Sequence, residues 1–339
     1  MNVVVCLGAH ILDVLVRPVT DIPAGQDTAL VEQMRMTAAG TAAGTALTFA
    51  KLGAAVRTAG AIGTDPAGDL LLSLLGSAGI DTSLVVRKPD VPTSMSVLPI
   101  RPNGERPALH LLGANLAYTL DDVDWDAVAA ADHVHLGGVE MLGPDFAARI
   151  LKHAKDNSVT TSVDLIAPGG MGTFDIIAPA MAYTDYLLPN EDQVLGFTGA
   201  TDLAEGCRRL LDAGAGLLAV TCGAGGTLVV DREGSQQVPA FAVDVVDTTG
   251  CGDAFSAGFV YATSAATALP RSAASRRSSR KGSAVTTALS TLQRRMLMRK
   301  PRRSCDSPQI AGVTSDIASE DGIGRSRGRG ISRWIFATR

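Results

Sequence analysis

The segment Val246-Asp247-Thr248-Thr249-Gly250-Cys251-Gly252-Asp253-Ala254-Phe255 joins a glycine turn, a carboxylate and the start of an apolar helix. Gly250 and Gly252 lack the Cβ atoms that would keep a ligand away from the backbone, so the amides of residues 250–252 can point at one anion. The dipole of the helix that follows would attract the same anion. Asp253, beside such a phosphate site, is suited to take a proton from an attacking hydroxyl. The segment therefore predicts phosphoryl transfer.

Apolar runs and amphipathic segments alternate along the rest of the chain. We predict strands at 3–8, 56–62, 132–136, 160–164, 185–188 and 217–221, and helices at 41–52, 65–79, 144–157 and 201–213. Strands that alternate with helices favour an α/β fold with a doubly wound, mostly parallel sheet flanked by helices. Ligands of such a fold bind at the carboxyl ends of the strands.

Two segments interrupt the alternation, at about residues 14–36 and 93–112. Both are extended in pattern, and Asn103-Gly104 is a strong hairpin signal. An ordinary edge hairpin and a small β lid over the substrate are the two interpretations.

The 246–255 segment resembles the D-T-x-G-x-G-D signature of the ribokinase-like, or PfkB-type, carbohydrate kinases, and the resemblance extends over residues 1 to about 262. It implies that Asp253 is the catalytic base, that the amides of Gly250, Cys251 and Gly252 hold the transferring phosphate, and that Thr248 lies at the nucleotide. It also implies ATP and Mg²⁺ as cofactors and favours the lid over the edge hairpin. Cys251 stands where the family often has alanine, so we interpret it as a small packed residue and not as a reactive thiol.

On the substrate side, Asp13 follows the first strand. A carboxylate can accept two hydrogen bonds from vicinal hydroxyls, and the family's matching aspartate does so with sugar. Residues 39–44 resemble the family's G-G-x-x-x-N substrate loop, which makes Gly40, Thr41 and Gly44 candidate substrate residues. Ala39 replaces the first glycine and Gly44 replaces the asparagine, so the sugar differs from ribose or is held in another way.

Two further polar residues lie at the ends of predicted elements. Asn115 follows the second lid strand, and Glu140 follows Gly137-Gly138. For both residues, contact with substrate and a purely structural role are the alternatives.

The segment Pro189-Asn190-Glu191-Asp192-Gln193 resembles the family's P-N-x-x-E motif, which organises the water shell of Mg²⁺. Asn190 is thus a candidate nucleotide residue. Gln193 stands where the family has glutamate, so Glu191, through water, or Asp192 would have to compensate, or metal affinity is reduced.

A second nucleotide segment, Thr221-Cys222-Gly223-Ala224-Gly225-Gly226, follows a strand, and similar turns in the family pass beneath the nucleotide. Thr221, Gly223 and Gly226 are its candidate residues. It is not a dinucleotide fingerprint, because another strand-like run, and not a helix, comes next.

The resulting hypothesis is an ATP- and Mg²⁺-dependent kinase for a primary hydroxyl of a small carbohydrate. A nucleoside kinase of the same fold is the first alternative. It would need an aromatic or apolar base platform, and neither Trp125 nor Trp334 is near the predicted site segments. The second alternative is a catalytically impaired sugar-binding protein, because the C-terminal region departs from the family.

That departure is visible in the charges. Residues 1–263 contain 14 Lys/Arg and 30 Asp/Glu, whereas residues 264–339 contain 16 and 4. A basic Ser/Arg-rich tail, residues 263–339, thus follows the kinase domain, 1–262. A disordered tail, a nucleic-acid arm and a shifted reading frame are the alternatives. We favour the frameshift, because a selected basic arm seldom begins inside a core helix, and sequencing the coding DNA across codons 258–285 tests it.

Other features limit the cell compartment and the partners. The N-terminus lacks a basic signal region, no uncharged apolar run approaches the roughly 18 residues of a membrane span, and five scattered cysteines fit neither a disulfide framework nor a metal site. The five histidines show no metal spacing and are expected to be solvated or hydrogen-bonded. We expect a cytoplasmic protein that binds a small sugar or nucleoside but neither membrane nor nucleic acid, with the lid as a candidate dimer surface.

Overall fold

The computed structural model describes residues 3–167, 172–242 and 248–268. The strands in these ranges are β1 (Val3–Gly8), β2 (Ile11–Arg17), β3 (Gln33–Ala39), β4 (Ala55–Gly63), β5 (Asp81–Lys88), β6 (Met95–Pro99), β7 (Leu109–Leu111), β8 (His133–Gly137), β9 (Thr160–Asp164), β10 (Tyr186–Leu187), β11 (Leu217–Thr221), β12 (Thr227–Asp231) and β13 (Gly234–Val238). The helices are α1 (Thr41–Leu52), α2 (Pro66–Ser77), α3 (Trp125–Ala129), α4 (Val139–Leu142), α5 (Pro144–Asp156), α6 (Phe174–Met181), α7 (Glu191–Thr198), α8 (Leu203–Asp212) and α9 (Cys251–Ala268).

The main sheet of the described chain has the strand order β13-β12-β11-β10-β9-β8-β1-β4-β5. All neighbours from β11 to β5 are parallel, and β12 and β13 extend one edge as antiparallel strands. β1 lies between β8 and β4, so the chain builds the sheet outward from β1 in both directions. This confirms the doubly wound sheet and places its topological switch point beside β1.

The sequence of β1 shows why helices cover both faces. Val4 and Cys6 pack into the core formed with α1, α2 and α9, whereas Val5 and Leu7 pack into the core formed with α5 to α8. Successive side chains of a strand point to opposite faces, so a continuous apolar run fits a strand that is buried on both sides.

Local signals fix the helix ends that the sequence predicts. α2 begins after Asp65, whose side chain accepts a hydrogen bond from Gly68 N at 2.9 Å, with Pro66 in its first turn. α1 ends at Gly53, which has a φ of 93° in the left-handed region that favours glycine. Both ends agree with the prediction.

A second sheet, which we call the lid, has the order β3-β2-β6-β7. β2 pairs with β3 in antiparallel and with β6 in parallel orientation, and β6 and β7 form a hairpin across residues 100–108. Gly104 in this loop has a φ of 85°. The small β lid is confirmed. Its first two strands reach further than the predicted 14–36 segment, because β2 begins at Ile11 and β3 continues to Ala39.

Three histidines are buried and hydrogen-bonded. Burial lowers the pKa of His10 to about 4, of His133 to about 3 and of His135 to about 4, so all three are neutral at pH 7. His133 Nε2 and His135 Nδ1 both bond to the Ser162 hydroxyl. These rings belong to the packing of the sheet.

The C-terminal prediction meets the structure only in part. α9 crosses residues 262–263, where we predicted the domain to end, and continues to Ala268. The remainder of the predicted tail, residues 269–339, lies outside the described residues, so its nature stays a prediction. Within the described parts of the chain, no helix is both long enough and apolar enough to cross a bilayer.

Candidate active site

The amino end of α9 forms an open turn. Gly250 has a φ of 75° and its carbonyl accepts a hydrogen bond from Ala254 N at 2.9 Å, which starts the helix. The first N–H groups of a helix have no intrahelical acceptor, and a Cβ at Gly252 would meet no atom within 4 Å. The amide of Cys251 already donates to Thr248 O at 3.2 Å. Of the three predicted amides, those of Gly250 and Gly252 are therefore the ones left for an anion.

Asp253 lies in the first turn of α9 and is partly buried. Burial, and after it the negative charge of Asp13, raises the pKa of Asp253 to about 7, against the opposing charge of Arg106. Burial likewise raises the pKa of Asp13 to about 6, against hydrogen bonding by Ser96 and the charge of Arg106. The fold thus brings together two carboxylates that are 240 residues apart.

The amino end of α1 lies against Asp253. A Cβ built on Gly44 would be 2.1 Å from Asp253 Oδ2 and 2.7 Å from its Cγ, so the carboxylate of Asp253 occupies the space that a side chain at position 44 would need. Gly40 precedes the helix with a φ of 90°, and its carbonyl accepts a hydrogen bond from Gly44 N at 2.7 Å. Thr41 is buried, and its hydroxyl has no partner among the described residues.

A row of polar side chains crosses the lid on the face that carries Asp13. Its members are directly opposite one another on adjacent strands: Thr37, Asp13, Ser96 and His110. The Ser96 hydroxyl is 3.0 Å from His110 Nδ1. Because alternate residues of a strand face opposite sides, this row defines the side of the lid that faces Asp253.

Asn115 supports the backbone after β1. Its Oδ1 accepts a hydrogen bond from His10 N at 2.9 Å, and its Nδ2 donates to His10 O at 3.1 Å. This is the structural alternative that the sequence left open, and a substrate contact of Asn115 stays a prediction.

Glu140 has one engaged and one orphan oxygen. Its Oε1 accepts hydrogen bonds from Ile166 N at 2.6 Å and Ala167 N at 2.5 Å, whereas its buried Oε2 has no partner among the described residues. Burial raises the pKa of this carboxyl. A buried acceptor without a donor suits a ligand hydroxyl or a metal-bound water.

Gln193 stabilises the same 165–167 loop from the other side. Its side chain closes a capping box with Asn190 at the start of α7, with bonds of 2.8 and 3.0 Å, and its Nε2 donates to Leu165 O and Ala167 O at 2.9 and 3.2 Å. An ionised glutamate has no N–H group to donate. The amide at this position is therefore used for structure.

The two predicted nucleotide segments lie side by side. Thr221 forms a parallel bridge with Asn190, and its amide donates to Pro189 O at 3.0 Å. Gly223 opens the short turn after β11, and Gly226 closes it with a φ of 91°. A Cβ on Gly226 would be 2.1 Å from Val238 O, so only glycine fits beside β13.

Comparison with known proteins shows which family this chain resembles. The sequence matches the pfkB family carbohydrate kinase profile over residues 1–293. The chain belongs to the PfkB family of carbohydrate kinases. An ATP-dependent ribose-1-phosphate kinase of Halopiger xanaduensis is 33% identical over 249 residues, which cover 73% of this chain and 80% of that protein.

Two more relatives show the range of the similarity. Adenosine kinase of Saccharomyces cerevisiae is 30% identical over 217 residues, which cover 59% of this chain and 63% of that protein. Arabidopsis thaliana ribokinase, solved with ribose and ATP, superposes with a TM-score of 0.69 at 23% identity, covering 86% of this chain and 91% of that one.

Membership in the PfkB family confirms the predicted enzyme class, a phosphotransferase with an alcohol acceptor, and the predicted cofactors, ATP and Mg²⁺. The open turn at Gly252 and the orphan Oε2 of Glu140 fit a phosphate and a hydrated cation. Among the described residues, no group of three or more His, Cys, Asp or Glu side chains could hold a metal by itself. Mg²⁺ in kinase sites keeps several waters and is held largely by substrate phosphates. A role for Glu191, which is exposed at the start of α7, stays a prediction.

The sequence interpretation missed several residues of this candidate site. Asp164 is buried at the end of β9 and accepts a hydrogen bond from Ser256 of α9 at 2.9 Å. Burial, and after it the charge of Asp253, raises its pKa. Ser96, His110 and Arg106 come from the lid, and only the strand register shows which of the lid residues face the site.

Proposed function

We propose that this PfkB-family kinase transfers the terminal phosphoryl group of ATP to a primary hydroxyl of a small sugar, with Asp253 as the general base. One observation carries the proposal: Asp253, with a pKa of about 7, is in the first turn of α9 beside the open amides and within electrostatic reach of Asp13. A general base is most effective when its pKa is close to the working pH. Burial and the neighbouring carboxylate supply that match.

In the proposed reaction, the hydroxyl oxygen forms a bond to the terminal phosphorus while its proton passes to the carboxylate of Asp253, and ADP leaves with the electrons of the broken P–O bond. The amides of Gly250 and Gly252 and the dipole of α9 stabilise the charge on the transferring group. Asp13 accepts hydrogen bonds from other sugar hydroxyls and orients the ring. When bound, Mg²⁺ neutralises charge on the phosphates, and Glu191 and the Oε2 of Glu140 would hold its waters.

A nucleoside is the second candidate substrate, because one relative is an adenosine kinase. The described structure offers little to hold a base. Trp125 packs against His153 with a ring-centroid distance of 5.1 Å, between α3 and α5 and away from the lid. The row Thr37, Asp13, Ser96 and His110 is polar, which suits hydroxyl groups better than an aromatic ring.

An ADP-release assay tests the proposal with ribose, fructose, their phosphate esters, adenosine and uridine as acceptors. We expect sugar-dependent ADP release that the Asp253→Asn variant lowers strongly. Turnover with nucleosides alone would favour the second candidate. Sugar binding without ADP release, in wild type and variant alike, would favour a binding protein that no longer catalyses.

We also propose that the lid binds a second copy of this chain. The face opposite Asp13 is apolar and exposed, and it comprises Met34, Met36, Val97, Leu109 and Leu111. A continuous exposed apolar surface of this kind is typical of an interaction site, and a self-complementary face forms a symmetric dimer. Sedimentation equilibrium should show a dimer that Met36→Lys dissociates, and a monomeric wild-type protein at 50 μM would contradict it.

A further inference from the structure

Arg106 connects the lid to the catalytic turn. It lies in the exposed loop between β6 and β7, and its Nε donates to Thr248 Oγ1 at 3.2 Å. Thr248 immediately precedes the turn that opens α9. The guanidinium is therefore held at the point where the lid meets the phosphate-binding amides.

The guanidinium of Arg106 interacts electrostatically with both carboxylates of the site but forms an ion pair with neither. Its positive charge lowers the pKa of Asp13 and of Asp253, so it acts electrostatically on both carboxylates. No ion pair joins it to either residue, and among the described residues its Nη1 and Nη2 atoms have no hydrogen-bond partner. Elsewhere in the same loop, Arg101 does pair with Glu105, at 2.9 Å.

A guanidinium fixed through Nε presents two parallel N–H donors, a geometry that matches the oxygens of a phosphate or carboxylate. Two anions could occupy this place: the phosphates of ATP or an anionic group on the acceptor. The amides of Gly250 and Gly252 and the dipole of α9 already serve the transferring phosphate. Arg106 instead comes from the lid, whose polar row carries Asp13 and faces the acceptor.

We propose that the acceptor of this kinase is a sugar that already carries a phosphate ester, and that Arg106 binds this ester and determines the specificity. This inference rests on the proposed kinase function. With a neutral sugar bound, the guanidinium of Arg106 would pair with neither Asp13 nor Asp253 and would have no anionic partner. With a sugar phosphate, the ester completes the guanidinium while Asp13 and Asp253 remain available to hydroxyl groups.

The experiment compares two matched pairs, ribose with ribose 1-phosphate and fructose with fructose 1-phosphate, because each ester keeps a primary hydroxyl. Binding is measured by calorimetry without ATP, and kcat/KM is measured with ATP. The variants are Arg106→Gln and Arg106→Lys, with Arg101→Gln as the matched control in the same loop.

For the wild type we expect at least one ester to bind about 100-fold more tightly than its parent sugar, as loss of a bidentate charged contact would imply. Arg106→Gln should reduce this ratio to about 3 or less, Arg106→Lys should retain part of it, and Arg101→Gln should retain all of it. The ester-to-parent ratio cancels any change that the variant causes in Asp253, which both acceptors share.

Three results would overturn the inference. The wild type could bind both parent sugars as tightly as both esters, or Arg106→Gln could weaken ester and parent equally. It could also raise the KM for ATP while the ester preference survives, which would assign Arg106 to the nucleotide. Absence of turnover with every acceptor would refute the kinase function instead, and the calorimetric ratio would still decide the role of Arg106.

Discussion

Gly44→Ala adds a single methyl group where Asp253 now lies. The new Cβ would be 2.1 Å from Oδ2 and 2.7 Å from Cγ of Asp253, whereas ordinary contacts of a Cβ begin at about 3.4 Å. The overlap is with the reacting end of the carboxylate, so Asp253 must move by about 1 Å or more. Displacement of this size is sufficient to remove a base from its proton.

Two opposing terms decide the effect on stability. Alanine in place of glycine within a helix stabilises it by about 0.5–1 kcal/mol. Overpacking by one methyl group costs about 1–3 kcal/mol if the neighbours cannot move. We therefore expect the free energy of unfolding to fall by about 0.5–2 kcal/mol if the Asp253 side chain is pushed aside against its packed neighbours, and to rise slightly if it rotates away into open space.

Activity falls in either case. The contribution of a positioned general base is about 10²–10⁴-fold, and we expect kcat for the preferred acceptor to fall within that range. Gly76→Ala is the matched control, because Gly76 lies in α2 and its added Cβ would meet no atom within 4 Å. This control should keep kcat and gain about 0.5–1 kcal/mol.

The assay is steady-state ADP release together with urea unfolding for the two variants and the wild type. If Gly44→Ala retained kcat within about threefold of the wild type, Asp253 would not be the base or would not occupy the position described. A drop in kcat for Gly76→Ala of the same size would show that the assay responds to helix substitution in general.

Five further outcomes follow from the same site. Since the pKa of Asp253 is about 7 and the base must be ionised, kcat/KM should rise through about pH 7, and a profile that is flat from pH 5 to 9 would contradict this. Asp253→Asn should lower kcat by about 10²–10⁴-fold with ATP affinity unchanged or slightly higher, and near-normal turnover would eliminate the base. The folded-state pKa of Asp253 is above its ordinary value, so the wild type loses stability as pH rises from about 4 to 7. The difference in melting temperature, Asp253→Asn minus wild type, should therefore be larger at pH 8 than at pH 4. Equal differences at both pH values would refute the linkage. Asp13→Ala should weaken acceptor binding by about 2 kcal/mol, as seen by calorimetry, and unchanged affinity in a folded variant would remove Asp13 from the site. Gln193→Glu leaves the carbonyls of Leu165 and Ala167 without a donor and should reduce the free energy of unfolding by about 1–3 kcal/mol, and urea unfolding that matches the wild type would show these bonds to be dispensable.

Sequence alone predicts those parts of the fold that depend on neighbouring residues. The cap at Asp65, the end of α1 at Gly53 and the strands β9 and β11 all follow from local composition and agree with the structure. The sequence analysis did not predict β5. Apolar and polar residues alternate only weakly along this strand, and its pairing with β4 is a long-range contact.

The candidate site divides in the same way. Asp253 and Asp13 lie in short segments whose residue types indicate their chemistry. The resemblance to the family predicts a catalytic role for Asp253 and a sugar-binding role for Asp13. The interaction of Gly44 with Asp253, and of Arg106 with Thr248, joins residues that are far apart in the chain. No local pattern marks such contacts, since they exist only when α1, α9 and the lid are assembled.

Gln193 illustrates a departure from the family that becomes understandable only in three dimensions. From the sequence it reads as a lost metal-site glutamate. In the structure the side-chain amide of Gln193 holds α7 and the 165–167 loop together by donating to loop carbonyls. Glu140 holds the same loop by accepting hydrogen bonds from backbone amides of the loop. The substitution is thus coupled to neighbouring backbone carbonyls, which the sequence does not reveal.

The alternation of the lid strands has a consequence for how acceptor preference can evolve. Deleting one residue from β2 would move Asp13 to the outer face of the lid and bring an apolar neighbour to the inner face. The polar row of the inner face and the apolar outer face would both be disrupted. The 100–108 loop has no such register to maintain. Exchanges and insertions there can change which sugars are recognised while the outer surface of the lid stays as it is. Diversification of substrate choice in this lineage should therefore concentrate in the loop and spare the strands.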